Sequence, residues 1–177
     1  MTINKLLSFF FFTFILPLLI TTCSETTSNQ NDNNALPNIT AIIVGGISLN
    51  YKAPGPMPYY SMSDKYKQLI LTSGVKYQGQ YYAIGVYIFF LDKVEKTGTF
   101  HFTNKEDGQQ SDFAVGVFQI GDDSKRLFIS DSGNVTISKI VGAKITGTFN
   151  FYATEQNGVG KIEVLRGTLD FGYYLFY

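Results

Sequence analysis

The chain has 177 residues, with 14 Lys and Arg against 14 Asp and Glu, one His, one Cys and no Trp. That length suits one domain with room for a tail. One Cys excludes an intrachain disulfide and a Cys-rich metal cluster, one His excludes a His-rich zinc site, and zero net charge argues against bulk nucleic-acid binding.

Lys5 is the only charge before Glu25, and fifteen uncharged residues, Leu6 to Ile20, follow it. A short basic start and an apolar run of this length read as a signal peptide over residues 1–22. A spanning helix needs about 20 apolar residues, and Pro17 interrupts the run, so a permanent anchor fits less well. The run leads into Leu19-Ile20-Thr21-Thr22-Cys23, which places the chain's only Cys just beyond it. This stretch resembles a bacterial lipoprotein signal, with Thr22 where Gly or Ala is usual. The resemblance implies acylation of Cys23 as the first residue of the mature chain, with membrane lipid as a partner through that group. Ser24 rather than Asp follows the Cys, which by the same resemblance implies the outer membrane of the cell envelope. An ordinary secretory signal beside an incidental Cys is the plainer alternative. Two or more acyl chains anchor firmly, whereas one is marginal. Removing residues 1–22 takes away Lys5 alone among the charges, leaving 13 basic and 14 acidic residues, a net charge of −1.

Residues 23–37 read as a flexible tether. Ser24 to Pro37 holds one Leu, one Ala and no aromatic, too little apolar surface to offset the entropy of ordering it. Fully extended, the segment reaches at most about 46–50 Å. Asn38-Ile39-Thr40 and Asn134-Val135-Thr136 match the N-glycosylation pattern, which a bacterial lipoprotein would leave unmodified.

Residues 38–177 read as a single all-β domain. The region 53–64 carries three prolines and is expected to be loop, and residues 61–68 are the one candidate for a short helix. Gln80 to Leu91 is apolar at even and odd positions alike, as in a central strand covered on both faces. Thr97–Thr103 alternates, with Phe100 and Phe102 sharing a face with Gly98 and His101 lying among the threonines opposite. Asp112–Phe118 places Phe113, Val115 and Val117 on one face. Asn134–Ile140 does the same with Val135 and Ile137, and Lys144–Ala153 with Ile145, Phe149 and Phe151. A period of two marks a sheet with one face on a core. Lys161–Phe171 changes phase, and a bulge near Leu165-Arg166 would restore one buried face. Turns are expected at Lys105–Gly108, Asp131–Asn134, Val141-Gly142 and Gln156–Gly158. The apolar Tyr173–Tyr177 should be tied down. Eight or nine such strands must manage their edges, as an antiparallel two-layer sandwich or as a closed or partly open barrel.

Thr97-Gly98-Thr99-Phe100-His101-Phe102, Thr146-Gly147-Thr148-Phe149-Asn150-Phe151 and Arg166-Gly167-Thr168-Leu169-Asp170-Phe171 echo one another. From Gly133 to Phe171 the chain resembles the C-terminal half of uncharacterised secreted lipoproteins of Bacteroidota. Their pattern has a glycine turn, a strand like Asn134–Lys139, then Ile145–Phe151 and a late Gly167-x-Leu169-Asp170; residues 38–75 depart from it. The resemblance implies an all-β lipoprotein domain and no catalytic residues. Physically, glycine beside a large ring lets a cross-strand aromatic lie over bare backbone. A neighbouring Phe or Tyr ring is accordingly expected across Gly147, which a Val there would overpack.

Candidate chemistry is thin. With one His and no Cys in the domain, a catalytic His101 would need an oriented nucleophile, and Ser130-Asp131-Ser132 is close only in sequence. Asp122, Asp123 and Asp131 could hold calcium in a loop, although they lack EF-hand spacing; solvated turns are the simpler reading, and no metal or cofactor is expected. Paired carboxylates for sugar hydrolysis are not singled out. The tyrosines are unusually many. Tyr59-Tyr60, Tyr81, Tyr87 and Tyr173-Tyr174 exceed what a core needs, and Tyr suits surfaces that bind glycans or proteins. A non-catalytic binding or structural module is therefore favoured, without identified ligand-binding residues. A barrel-type carrier of small apolar ligands and a carboxylate-based envelope hydrolase are the alternatives.

Overall fold

The structure, a computed structural model, describes residues 38–54, 58–105, 109–121, 126–142 and 144–172. The expected signal peptide, the tether with Cys23, most of the Lys105–Gly108 turn, Asp122 and Asp123, and Tyr173–Tyr177 lie outside those residues. The described residues form ten strands and no helix: β1 (Ile39–Val44), β2 (Ser48–Ala53), β3 (Tyr59–Met62), β4 (Lys67–Tyr77), β5 (Gln80–Phe90), β6 (Gly98–His101), β7 (Phe113–Ile120), β8 (Arg126–Val141), β9 (Lys144–Glu155) and β10 (Lys161–Phe171).

All ten belong to one antiparallel sheet, in the order β2-β1-β10-β9-β8-β7-β5-β4-β3, with β6 also beside β8. The sheet is strongly curled into a half-barrel. Its ends meet across the core, where the Tyr51 hydroxyl of β2 donates to Ser73 O of β4 at 2.9 Å, with Ser73 Oγ at the same distance. The all-β antiparallel expectation holds: one sheet bent upon itself supplies both facing layers.

The alternation read from the sequence fills this interior. Ile39, Ile43, Val86, Phe90, Phe118, Phe128, Phe151 and Phe171 are all buried in the inner cluster, each contributing about 1.5–3 kcal/mol by leaving water. A second cluster lies on the other side of the sheet, around Ile70, Ala83, Tyr87, Phe89, Phe113, Val115 and Val117. β5 faces both, as its two apolar faces predict. β7 does so as well, with every residue buried, whereas the sequence pattern suggested one buried face.

β8 runs for 16 residues through Asp131–Asn134, where a turn was expected. Gly133 adopts φ +126 and the pairing with β9 shifts between Ser130 and Ser132, so these turn-type residues make a bulge inside a strand. Along its other side β8 pairs first with β7 (Ile129 with Val117) and then with β6 (Val135 with Phe100). Buried Ser130 bridges the join, its Oγ accepting from Gly116 N at 2.9 Å.

Three further expectations are corrected. Residues 61–68 are not helical: β3 ends at Met62, Ser63 N donates to Tyr66 O at 2.9 Å, and Ser63 Oγ accepts from Tyr66 N at 3.2 Å, closing a hairpin. Within 53–64, β3 is a strand at the sheet's edge, with Pro54 and Pro58 just outside β2 and β3. Among the described residues, the atoms nearest Gly147 belong to no ring. A Cβ there would collide with Thr136 O and lie 3.3 Å from Ile137 Cα, so the glycine permits close approach of the β8 backbone. The ring-over-glycine arrangement occurs at Gly167, under Phe149, and at Gly116, under Phe151.

Candidate functional site

The bulge in β10 lies where the phase change places it. Val164 pairs with Phe151 and Gly167 with Phe149, so Leu165 and Arg166 together oppose Asn150 alone; Leu165 pairs with Ile42 on β1, and Arg166 is the extra residue. Gly167 rather than Leu165 continues the buried face; Leu165 is half-buried and Arg166 is exposed. Arg166 has φ +51, a left-handed conformation that few residues with side chains adopt.

Around this bulge the outer face of the sheet is polar and ordered in ranks. Thr40, Thr168, Thr148, Thr136 and Thr99 stand side by side on β1, β10, β9, β8 and β6. Strands are about 4.7–4.9 Å apart, so neighbouring hydroxyls can bond directly. Thr40 Oγ1 lies 2.7 Å from Thr168 Oγ1, and Thr99 Oγ1 lies 2.9 Å from Thr136 Oγ1. Pairing at both ends leaves Thr148 in the middle. The next rank holds His101, Asn134 and Asn150. His101 Nδ1 donates to Asn134 Oδ1 at 2.6 Å, which orients the amide and leaves its NH₂ to donate outward.

These ranks and the bulge line an open concavity of about 560 Å³, formed by Asn134, Thr136, Thr148, Phe149, Asn150, Leu165, Arg166, Gly167 and Thr168. No hydrogen bond among the described residues engages the Thr148 hydroxyl, the Asn150 amide or the Arg166 guanidinium. Arg166 also joins none of the described ion pairs, which are Lys67–Glu95, Lys96 with Asp92 and Asp112, and Arg126–Glu155. Tyr152 is exposed two residues beyond Asn150 on β9, opposite Ser132.

The ion pairs around Glu95 and Lys96 fasten the fold. Glu95 meets Lys67 and accepts from the Tyr60 hydroxyl at 2.6 Å. Burial pushes its carboxyl up, but the two partners together outweigh that and hold it below the usual range. Lys96 sits between Asp92 (2.7 Å) and Asp112 (2.6 Å). The Lys96 hydrogen bond and the Val94 amide keep Asp92 low, the opposite of what an acid catalyst requires.

His101 is exposed on its strand. Asp131 is occupied by Asn104 Nδ2 at 2.9 Å and Thr154 Oγ1 at 2.6 Å, and Ser130 is buried, so no triad assembles from them. Among the described residues no three His, Cys, Asp or Glu converge as metal ligands. Tyr87 is fully buried within the second cluster, Tyr59 and Tyr81 pack against that same cluster, and Tyr60 lies at the edge strand; three of the four thus serve the packing of one side of the sheet. The concavity residues were not anticipated as a group. The available signal was a cation in the extra position of a phase change. No family model matches the chain, nor does any curated protein or solved structure.

Proposed function

We propose that the chain is a lipid-anchored envelope protein, acylated at Cys23 and non-catalytic in its β-domain, which binds a glycan on the outer face of β8, β9 and β10. The observation that carries the binding role is the concavity itself, where Thr148, Asn150 and Arg166 present hydrogen-bonding groups that the fold does not use. Hydroxyl and amide groups with an aromatic ring nearby suit a sugar, whose own hydroxyls donate and accept. An interior carrier site is less well supported, because Tyr51, Phe90, Phe118, Phe128 and Phe151 occupy the core. A glycan array probed with the full-length chain in mild detergent tests the binding role. Binding that Asn150→Ala and Thr148→Ala weaken is expected; an array without any bound glycan refutes it. Intact mass of the membrane-extracted protein tests the anchor, since a chain still starting at Met1, or a soluble unacylated one, refutes lipidation.

A further inference from the structure

We infer that the Leu165–Arg166 bulge is an anion-reading subsite, and that the glycan bound in the concavity is acidic, its negative group taken by the Arg166 guanidinium. The inference rests on the glycan-binding reading above and specifies its substrate class.

Three independent features of Arg166 point the same way. It occupies the extra position of a bulge at φ +51, where Gly or Asn would sit with less strain, and strained backbone that persists in a fold marks a position worth testing for function. Its guanidinium is in no hydrogen bond or ion pair among the described residues, so its donors are available to a ligand. It borders a concavity whose nine lining residues include no carboxylate; Glu163 and Asp170 stand on the same strand beyond it.

The neighbours complete the chemistry. A guanidinium binds a carboxylate, sulfate or phosphate through two parallel N–H···O bonds. The Asn134 NH₂, oriented by the bond from His101 to Oδ1 of the same amide, and the Asn150 amide supply further donors to an anionic oxygen or a sugar hydroxyl. A volume of about 560 Å³ falls within the usual range for small-ligand sites.

The test uses the full-length chain in mild detergent and calorimetric titration with four probes: oligogalacturonate, its fully methyl-esterified form, a sulfated oligosaccharide and an uncharged oligosaccharide of equal length. Acidic probes are expected to bind about 10- to 100-fold more tightly than neutral ones, the difference a charged hydrogen-bonded contact makes. That preference should shrink with added salt. Which acidic probe binds better distinguishes carboxylate from sulfate as the source of the charge. Arg166→Gln should remove the preference, weakening acidic probes far more than neutral ones, and Arg166→Lys should keep part of it. Asn150→Ala should weaken acidic and neutral probes alike. Affinity for both acidic probes no higher than for the neutral ones, or a preference that survives Arg166→Gln, overturns the anion subsite and leaves glycan binding standing. Failure of all four probes to bind overturns both.

Discussion

Replacing Gly167 by Ala would test how this sheet is packed. A Cβ at Gly167 would lie 2.6 Å from Phe149 Cδ1, Cε1 and Cε2, about 1 Å inside the optimal carbon–carbon separation of about 3.5–4.0 Å. The ring has little room to retreat. Phe149 is 3% exposed, stacks on Phe151 with centroids 6.1 Å apart, and lies opposite Val135 on β8. Overpacking of this kind costs about 1–3 kcal/mol, against about 0.5–1 kcal/mol that Ala gains over Gly by losing less backbone entropy. The net loss is about 1–2 kcal/mol. With a urea slope of about 1–3 kcal/mol/M, the midpoint should fall by about 0.5–1 M. Combining Gly167→Ala with Phe149→Leu should recover part of the loss, because the smaller side chain vacates the contested space, so the two changes will not add. Gly147→Ala should also destabilise, but Phe149→Leu should not relieve it, since Gly147 faces the backbone of Thr136 and Ile137. Urea melts by circular dichroism decide. A midpoint for Gly167→Ala at or above that of the parent, or strict additivity with Phe149→Leu, would refute the ring-over-glycine account.

Tyr51→Phe removes the hydroxyl that joins β2 to Ser73 across the curled sheet and should cost about 1–2 kcal/mol in the same melts, because Ser73 O is left buried without it; an unchanged midpoint would show that the ends are held by packing alone. Arg166→Gly should stabilise the fold even as it removes the cation. Relief of about 1–2 kcal/mol of left-handed strain, less about 0.5–1 kcal/mol of glycine entropy, leaves a gain of about 0.5–1 kcal/mol, and a lower midpoint would count against strain at the bulge. Alkali should unfold the protein. Burial and the adjacent Tyr59 push the Tyr87 phenol far above its ordinary value, and burial with Glu95 does so for Tyr60. A folded pKa above the unfolded value of about 10 gives stability that is complete below pH 10 and lost as pH rises beyond it. Part of the phenolate absorbance should therefore appear only together with loss of the circular dichroism signal; full titration of all phenols in the folded state would contradict this.

The inner face of the sheet was legible because its period is clean. Ile145, Phe149 and Phe151 alternate with Thr146, Thr148 and Asn150, and each group lies on its expected face. The strands at the start of the domain were harder to delimit. Ile39, Ala41 and Ile43 point inward, but Ile42 among them and Val44 just after are apolar and exposed, which erases the alternation. Asp131-Ser132-Gly133-Asn134 misled for another reason. A glycine at positive φ serves a turn and a bulge equally well, and only β9 running alongside distinguishes them. The three echoed glycines share a motif but differ in cause: Gly98 has φ +144, Gly147 admits a backbone and Gly167 admits a ring. The concavity was the least legible feature. Its residues come from β8, β9 and β10, and no local pattern announces that Asn134, Thr148 and Arg166 share a surface; the bulge near Leu165-Arg166 was foreseen only as a repair of the buried face.

The pairing of β1 with β10 sets the timing of folding. Ile39 lies against Leu169, so the first strand of the sheet in chain order finds its partner in the last. Until β10 is in place, the β1–β2 hairpin presents Ile39, Ile43 and Tyr51 with no strand to lie against, and a lone hairpin is marginal in water. The sheet therefore cannot assemble in the order it is made. β8, β9 and β10, joined by short turns, are the natural seed, and the N-terminal hairpin docks onto their free edge afterwards. A chain cut short before Phe171 would lose more than an edge strand, because β1 and β2 would be left without the strand that ties them to the rest.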